Sequence, residues 1–374
     1  MAGLVSDTVY DVAVVGAGPA GAVTAFAAAR RGLSVVLLDK ATFPRRKVCG
    51  CCLNAHALSA LDAVGLGDLP TRLGAVPLTR IELAARGRSA TLPQVGSVSL
   101  SRDAFDVALI AAAADAGANF RQGVAVKLVG RDGDGWHLDA GGPVRARRLV
   151  DASGLNGRVL DSDPVVSPTA RIGAGTVLDR PAGDYRRGTI YLGAGRGGYV
   201  GLVRLEDGRL DVAAAFDAAH VRATGSLAAA ADAVLREAGM PTLPPDAAWK
   251  GTPPLTRRSQ RIAGPGWFAV GDAAGYIEPF TGEGMAWAVA GAASLAPLLT
   301  ADDGDNVATA WRAAYRRHVV ARQYPCRAIA ALLRAPGLCG VAVRALQRWP
   351  AVAGPVVRQL NRPLSVTLRG IRCR

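Results

Sequence analysis

VYDVAVVGAGPAGAVTAFAAARRGLSVVLLD, residues 9–39, decides the architecture. Apolar, β-branched residues (Val12, Val14, Val15) run straight into Gly16-Ala17-Gly18-Pro19-Ala20-Gly21. An alanine-rich stretch to Arg31 has helical composition, and Val35–Leu38 reads as a second buried strand ending in Asp39. Strand, glycine turn, helix and strand in that order form the unit that holds a dinucleotide. Gly16 permits the tight turn, Gly18 lets the backbone approach a pyrophosphate, and Gly21 lets helix and strand pack closely. Ala20 lies in the first helical turn, whose unpaired N–H groups and partial positive charge face the phosphates. Asp39, 18 residues beyond Gly21, offers a carboxylate to ribose hydroxyls. A bare GxGxxG is weak, but here each contextual element is in place.

At 374 residues, half of them apolar and a fifth charged, the chain is long enough for two domains and reads as globular. The N-terminus lacks a basic segment followed by an apolar one, and Ala286–Leu299 is too short to span a bilayer, which predicts a cytoplasmic protein. Six cysteines, three clustered and three scattered, fit neither a disulfide framework nor a metal-thiolate pattern, so no metal is expected. The net charge of +14 sits almost entirely in residues 311–374, which hold 13 arginines and no Lys, Asp or Glu. Two readings of this tail stay open: a solvated basic helical face, or a surface for anionic lipid or an acidic partner. Nucleic acid is not expected, because the tail lacks interleaved aromatics.

Along the chain, Leu53–Val64 predicts a helix stopped by Gly65, and 70–100 predicts short strands. Ser101 is a plausible N-cap for a helix reaching Gly117, and Asp132–Gly135 a hairpin turn between Val124–Val129 and Trp136–Leu138. Residues 165–250 alternate strand-like runs with glycine turns before a helix at Leu227–Ala238. A second GxGxxG, Gly193–Gly198, lies between two strands and predicts a hairpin loop instead of a nucleotide site. The fold expected is α/β: a Rossmann-like dinucleotide-binding domain in three segments (1–65, 100–160 and 255–310). A β-rich substrate domain (66–99 and 161–254) is inserted into it, and a basic helical tail (311–374) follows.

GDAAGYIEPFTGEG, residues 271–284, selects the flavin dinucleotide. Asp272 is placed to accept from a ribityl chain, and Gly282 and Gly284 let the backbone approach a flat ring. The N–H groups of Gly284 and Met285 open a helix and can stabilise charge on a reduced flavin.

Taken together, the first motif, SRDAFD, LVDASGLNGR and GDAAGYIEPFTGEG resemble FAD-dependent oxidoreductases related to para-hydroxybenzoate hydroxylase. KVCG and GDAAGxxxPxxGEG are similar to the geranylgeranyl-reductase-like branch. The resemblance covers residues 9 to about 300 and implies that the three-segment domain is a Rossmann-like FAD-binding domain of the glutathione-reductase type. It implies that Arg102 reaches the FAD phosphates or ribityl chain and that the Val124 backbone holds adenine. It also implies that Lys47, Ser153 and Gly154 belong to the cofactor site and that Pro279 lines the ring near its reacting edge. Cys49 inherits a place by the ring on the substrate side, where a thiol could protonate a substrate carbon or merely pack. Three departures narrow the family: Ser153-Gly154 replaces the hydroxylase Asp-Gly, no Trp-x-Trp halogenase motif occurs, and Tyr199–Arg204 lacks the aromatic lipid-tunnel strand of isoprenoid reductases.

Cys49 and Cys52 are also CxxC-spaced near a helix start, where a thiolate would be stabilised. His56, one turn on, is a candidate acid–base group. The function expected is FAD-dependent oxidation or hydroxylation of a hydrophobic polyketide-, phenol- or quinone-like molecule, with NAD(P)H as a transient donor. Flavin-dependent reduction of an isoprenoid C=C bond is the alternative, and an electron carrier docking through its basic tail is the third.

Overall fold

The computed structural model describes residues 8–364 other than 134, 158, 161–163, 180–182, 279–281 and 302–304. Strand β1 (Val9–Val15) leads through the glycine turn into helix α1 (Pro19–Ala29), and β2 (Val35–Asp39) returns parallel to β1. Every residue of β2 is buried, the pattern of a strand covered on both faces. Pro19 starts α1, where its missing N–H costs nothing. Ten consecutive residues of α1, Pro19 to Ala28, are buried, so small side chains suit it all round.

Among the described residues this sheet runs Ala263–Gly264, Trp267–Ala269, Pro143–Asp151, β1, β2, Asn119–Gln122, with the hairpin Lys127–Asp132/Gly135–Asp139 attached to Pro143–Asp151. The helix Arg102–Asp115, capped by Ser101 as expected, packs on α1. Helix α2 (Ala55–Val64) begins later than its periodicity suggests. Asn54 caps it by accepting from the Ala57 N–H at 3.0 Å, while Cys52–Leu53 pairs with the strand Arg88–Ser99.

A second, mixed sheet takes the order Lys250–Pro254, Ile172–Leu178, Leu210–Phe216, Gly198–Arg204, Thr189–Gly195, Val76–Ala85, Arg88–Ser99, Cys52–Leu53. Val76–Ala85 joins it through a parallel pairing with Thr189–Gly195, so the two inserted segments share one sheet. The second glycine run is the turn between Thr189–Gly195 and Gly198–Arg204, with Gly195 opposite Gly198. The helix Leu227–Ala238 has the bounds its sequence predicts and packs on Thr189–Gly195.

The C-terminal region is helical: Asp305–Tyr315, Ala321–Leu332, Pro336–Arg348 and Gly354–Leu360. Trp311 is fully buried, and Leu333, Cys339 and Val343 pack onto the second sheet. Tyr324, Leu338, Val341, Trp349 and Val352 stay exposed on the outer side.

Candidate functional site

One cavity of about 500 Å³ runs between the two sheets. Its first wall is the turn after β1. A Cβ on Gly16 would lie 2.3 Å from the Ala152 carbonyl oxygen, and one on Gly21 only 1.7 Å from that of Gly16. Backbone packing therefore requires both glycines. Gly18 differs: its backbone is extended, and a Cβ there would meet only Arg45 Nη2 at 3.7 Å and Arg102 Nη2 at 3.8 Å. Among the described residues no side chain caps the first turn of α1, so its N–H donors and two guanidinium groups converge on the space before Gly18. That is the donor set a pyrophosphate needs.

The residues beside it fit the rest of the cofactor. Asp39 is nearly buried, with Oδ2 accepting from the Ala17 N–H at 2.7 Å and Oδ1 from the Ala41 N–H at 2.8 Å. These bonds hold the carboxylate in place for ribose hydroxyls. Val124 lines the cavity, yet its N–H is spent on the Asp39 carbonyl at 3.0 Å, leaving only its own carbonyl for an adenine. That bond also keeps 124–126 out of the following strand, which starts at Lys127 and not at Val124 as the pattern suggests. Ser153 and Gly154 line the opposite side, with the Ser153 N–H donating to Asp151 Oδ1 at 3.0 Å.

Arg102 is buried and locked by two bonds to Asp106, Nε to Oδ1 at 2.8 Å and Nη2 to Oδ2 at 2.7 Å. Asp272 lies in the turn after Trp267–Ala269, where burial raises its pKa and Lys47, Arg102 and Arg257 oppose the rise. Burial lowers the Lys47 pKa, and Asp272 partly restores it. Gly282 has φ +81° and faces Cys52. A Cβ on Gly284 would meet the Tyr276 ring at 3.0 Å. Gly284 begins a helix with no side-chain cap among the described residues, so its first N–H groups have no partner within the helix, and Met285 lines the cavity beside it.

Cys49 faces this same cavity. The Cys51 N–H points at its sulfur, 3.4 Å away. A bond from the Cys51 thiol lowers the Cys49 pKa to about 6 against burial, with Arg102 adding to the effect. The wall beyond is the second sheet, presenting Ile190, Leu192, Leu202 and Ala213–Ala215.

The structure thus brings together Gly16, Gly18, Ala20, Asp39, Lys47, Cys49, Arg102, Val124, Ser153, Gly154, Asp272, Gly282, Gly284 and Met285. Gly21 acts from behind, through packing. Pro279 lies outside the described residues. His56 does not reach the cavity, contrary to the acid–base role expected of it. It is buried on α2 near Arg322 and His318, and burial above all lowers its pKa to about 4. Sequence reasoning missed Arg45 as a phosphate-side cation, though its basic loop was visible. It also missed Tyr276 and Asp211; a single acid in the apolar strand LDVAAAF was the available signal for the latter.

A glycine cradle for a pyrophosphate, joined by a second glycine turn for a flat ring, defines a flavin-dependent oxidoreductase. Residues 9–306 match the family described as FAD binding domain, and the chain belongs to that family. It is an FAD-dependent oxidoreductase of the para-hydroxybenzoate-hydroxylase superfamily. The chain is 29% identical to a menaquinone reductase of Mycolicibacterium smegmatis, covering 88% of this chain and 86% of the relative. A geranylgeranyl bacteriochlorophyll reductase-like protein from Thermoplasma acidophilum shares the fold, with TM-score 0.76, 20% identity and coverage of 94% and 95%. PqsL of Pseudomonas aeruginosa, solved with 2-aminobenzoylacetate, also shares it, with TM-score 0.72, 20% identity and coverage of 90% and 100%.

Proposed function

We propose that the enzyme is a flavin-dependent reductase of a hydrophobic, quinone-type molecule bearing an unsaturated chain. The observation that carries this reading is Cys49, a thiol with a pKa near 6 in the wall between the ring-facing glycines and the apolar sheet. A group titrating near the working pH is an efficient proton donor. When bound, FAD supplies the hydride, with NAD(P)H as the transient source of electrons. Cys49 holds the proton for the neighbouring carbon, and Arg102 and Cys51 steady the thiolate left behind. The mixed sheet, built from 66–99 and 161–254 with Cys52–Leu53 at its edge, is the substrate domain: its alanine and branched side chains exclude water and give a greasy substrate its contact. Similarity to a menaquinone reductase over most of both chains supports a quinone-type substrate.

The C-terminal helices hold the enzyme against an anionic bilayer, the source of such a substrate. Support comes from exposed Leu338, Val341, Trp349 and Val352 among arginines with no acid between 311 and 374. Among the described residues no single helix is long and apolar enough to cross a membrane. A pair bent by 109° passes on length and composition together, but Cys326, Cys339 and Val343 within it are buried against the protein.

The test is anaerobic. Dithionite-reduced holoenzyme mixed with a prenylated quinone should reoxidise its flavin and yield a product enriched in hydrogen, read by mass spectrometry. Flavin reoxidation only with O2, and a product that gains oxygen, would establish the competing oxygen-inserting reaction.

A further inference from the structure

The apolar strand Leu210–Phe216 carries one acid, Asp211, which borders the cavity. Side chains alternate along a strand, so Asp211, Ala213 and Ala215 share a face with their register partners Val203, Gly201 and Tyr199 on the strand Gly198–Arg204. All six border the cavity. Ala213 and Gly201, the smallest pair, leave the space beside the carboxyl open. On its other edge Asp211 lies opposite Val177, so neither cross-strand neighbour offers it a side-chain hydrogen bond. Asp211 is only 3% exposed, and among the described residues its Oδ2 has no hydrogen-bond partner. Arg209 is committed elsewhere, Nη1 to Asp103 Oδ2 at 3.0 Å and Nε to Asp207 Oδ2 at 2.6 Å. The Cys51 thiol beside the carboxyl is a weak donor and leaves Oδ2 unserved. A buried polar atom without a partner is destabilising, and a ligand that completes the hydrogen bond offsets the loss.

We propose that Asp211 is the specificity-determining residue of the site: its unpartnered oxygen hydrogen-bonds an oxygen of the substrate head group, whose flat ring lies over Ala213 and Gly201. The proposal rests on the quinone-type reading and names the group that recognises the head. A carboxyl donates to a quinone carbonyl when protonated and accepts from a phenolic hydroxyl when ionised. Burial, the largest influence, raises the Asp211 pKa well above the usual carboxylate range, which favours the donating form. The wall around it is apolar, with Ile190, Leu192 and Leu202 left to the chain. A hydrocarbon of the same shape would fill the same space and leave Oδ2 without a partner. Asp211 therefore selects against oxygen-free analogues, as a site built around a buried polar group does.

The test compares ligands, not rates. Oxidised holoenzyme is titrated with a prenylated quinone and with the hydrocarbon of the same ring and chain, followed by the perturbation of flavin absorbance. Wild type should bind the quinone about tenfold more tightly. Asp211→Leu should shrink that ratio to within about twofold by weakening the quinone alone. The ligand-free variant should melt no lower than wild type, because a buried carboxyl oxygen without a partner has been removed. Asp211→Ala carries the same comparison if the leucine variant misfolds or loses flavin. Equal binding of both ligands by wild type, or a variant that keeps the full preference, would overturn the proposal. So would a parallel loss of both ligands with a lower melting temperature, the mark of a purely structural acid. If wild type binds neither prenylated ligand, 1-naphthol and naphthalene repeat the comparison. A naphthol preference lost in the variant would support Asp211 as the recognising group and sink the quinone-type reading, whereas no preference would overturn both.

Discussion

Arg171 Nη1 and Glu278 Oε1 stand 3.2 Å apart, with both side chains 1% exposed. Arg171 immediately precedes the strand Ile172–Leu178 of the second sheet, and Glu278 lies four residues before Gly282. Arg334, from the C-terminal helices, reaches Glu278 Oε2 at 3.3 Å, and Arg171 Nη2 donates to the Leu333 carbonyl at 3.4 Å. One buried pair thus ties sheet, flavin segment and tail together.

Arg171→Met removes one partner of that pair and leaves a buried carboxylate. Unfolding by denaturant should show a loss of about 3–5 kcal/mol. Arg334 is 29% exposed, so Arg334→Ala should cost within about 1 kcal/mol. Equal losses from the two substitutions would contradict the central place of Arg171.

The glycines of the first turn should divide by role. Gly18→Val has room for its Cβ and an extended backbone, so the protein should fold and emerge colourless, having lost the pyrophosphate's space. Gly21→Ala meets a carbonyl at 1.7 Å and should yield little folded protein. Circular dichroism with flavin absorbance reads both. Yellow Gly18→Val with full flavin stoichiometry would refute the nucleotide placement. Asp272→Ala, which removes a negative charge that supports half-buried Lys47, should weaken flavin retention.

Cys49→Ala should keep its flavin and lose about 10²–10⁴-fold in the rate of quinone-type substrate reduction, the span of general acid catalysis. Stopped-flow flavin reoxidation under nitrogen measures it. An undiminished rate would assign the proton to another group.

His56 sets an acid limit on stability. An unfolded histidine protonates near 6.5, whereas His56 in the folded protein waits until about 4. Between those values the unfolded chain binds more protons, so stability falls as pH falls through that window. The loss is at most about 3 kcal/mol and should be absent from His56→Leu, as followed by thermal melts of the two holoenzymes. Parallel pH profiles would mean that His56 is not held neutral.

Liposome sedimentation tests the tail. The full chain should pellet with anionic vesicles at low salt and be released as ionic strength rises. Trp349→Ser with Val341→Ser should weaken binding without changing flavin content. A chain that stays in the supernatant at low salt would make the tail a structural cap alone.

Much of this protein was legible along the chain because the relevant physics is local. The Gly16–Gly21 turn, the Ser101 cap and the helix Leu227–Ala238 depend on backbone freedom, side-chain periodicity and neighbours within one turn. These are written within a dozen residues. Family wording carried the reading further, to Lys47, Cys49, Arg102 and Asp272, all of which line the cavity.

Tertiary structure decided what depends on burial and on partners far apart in sequence. Asp211 is an ordinary strand acid until folding sets it beside Cys51, 160 residues earlier in the chain, and removes it from water. Arg171 and Glu278 meet across 107 residues. His56 shows the converse. It follows Cys52 by four residues, yet Cys52 lies on a strand and His56 in the first turn of α2, and the change of element points its ring toward Arg322 and away from the cavity. Sequence determines which groups a chain carries and the local frame that holds them; only packing decides which of those groups lose their water, and with it their ordinary chemistry.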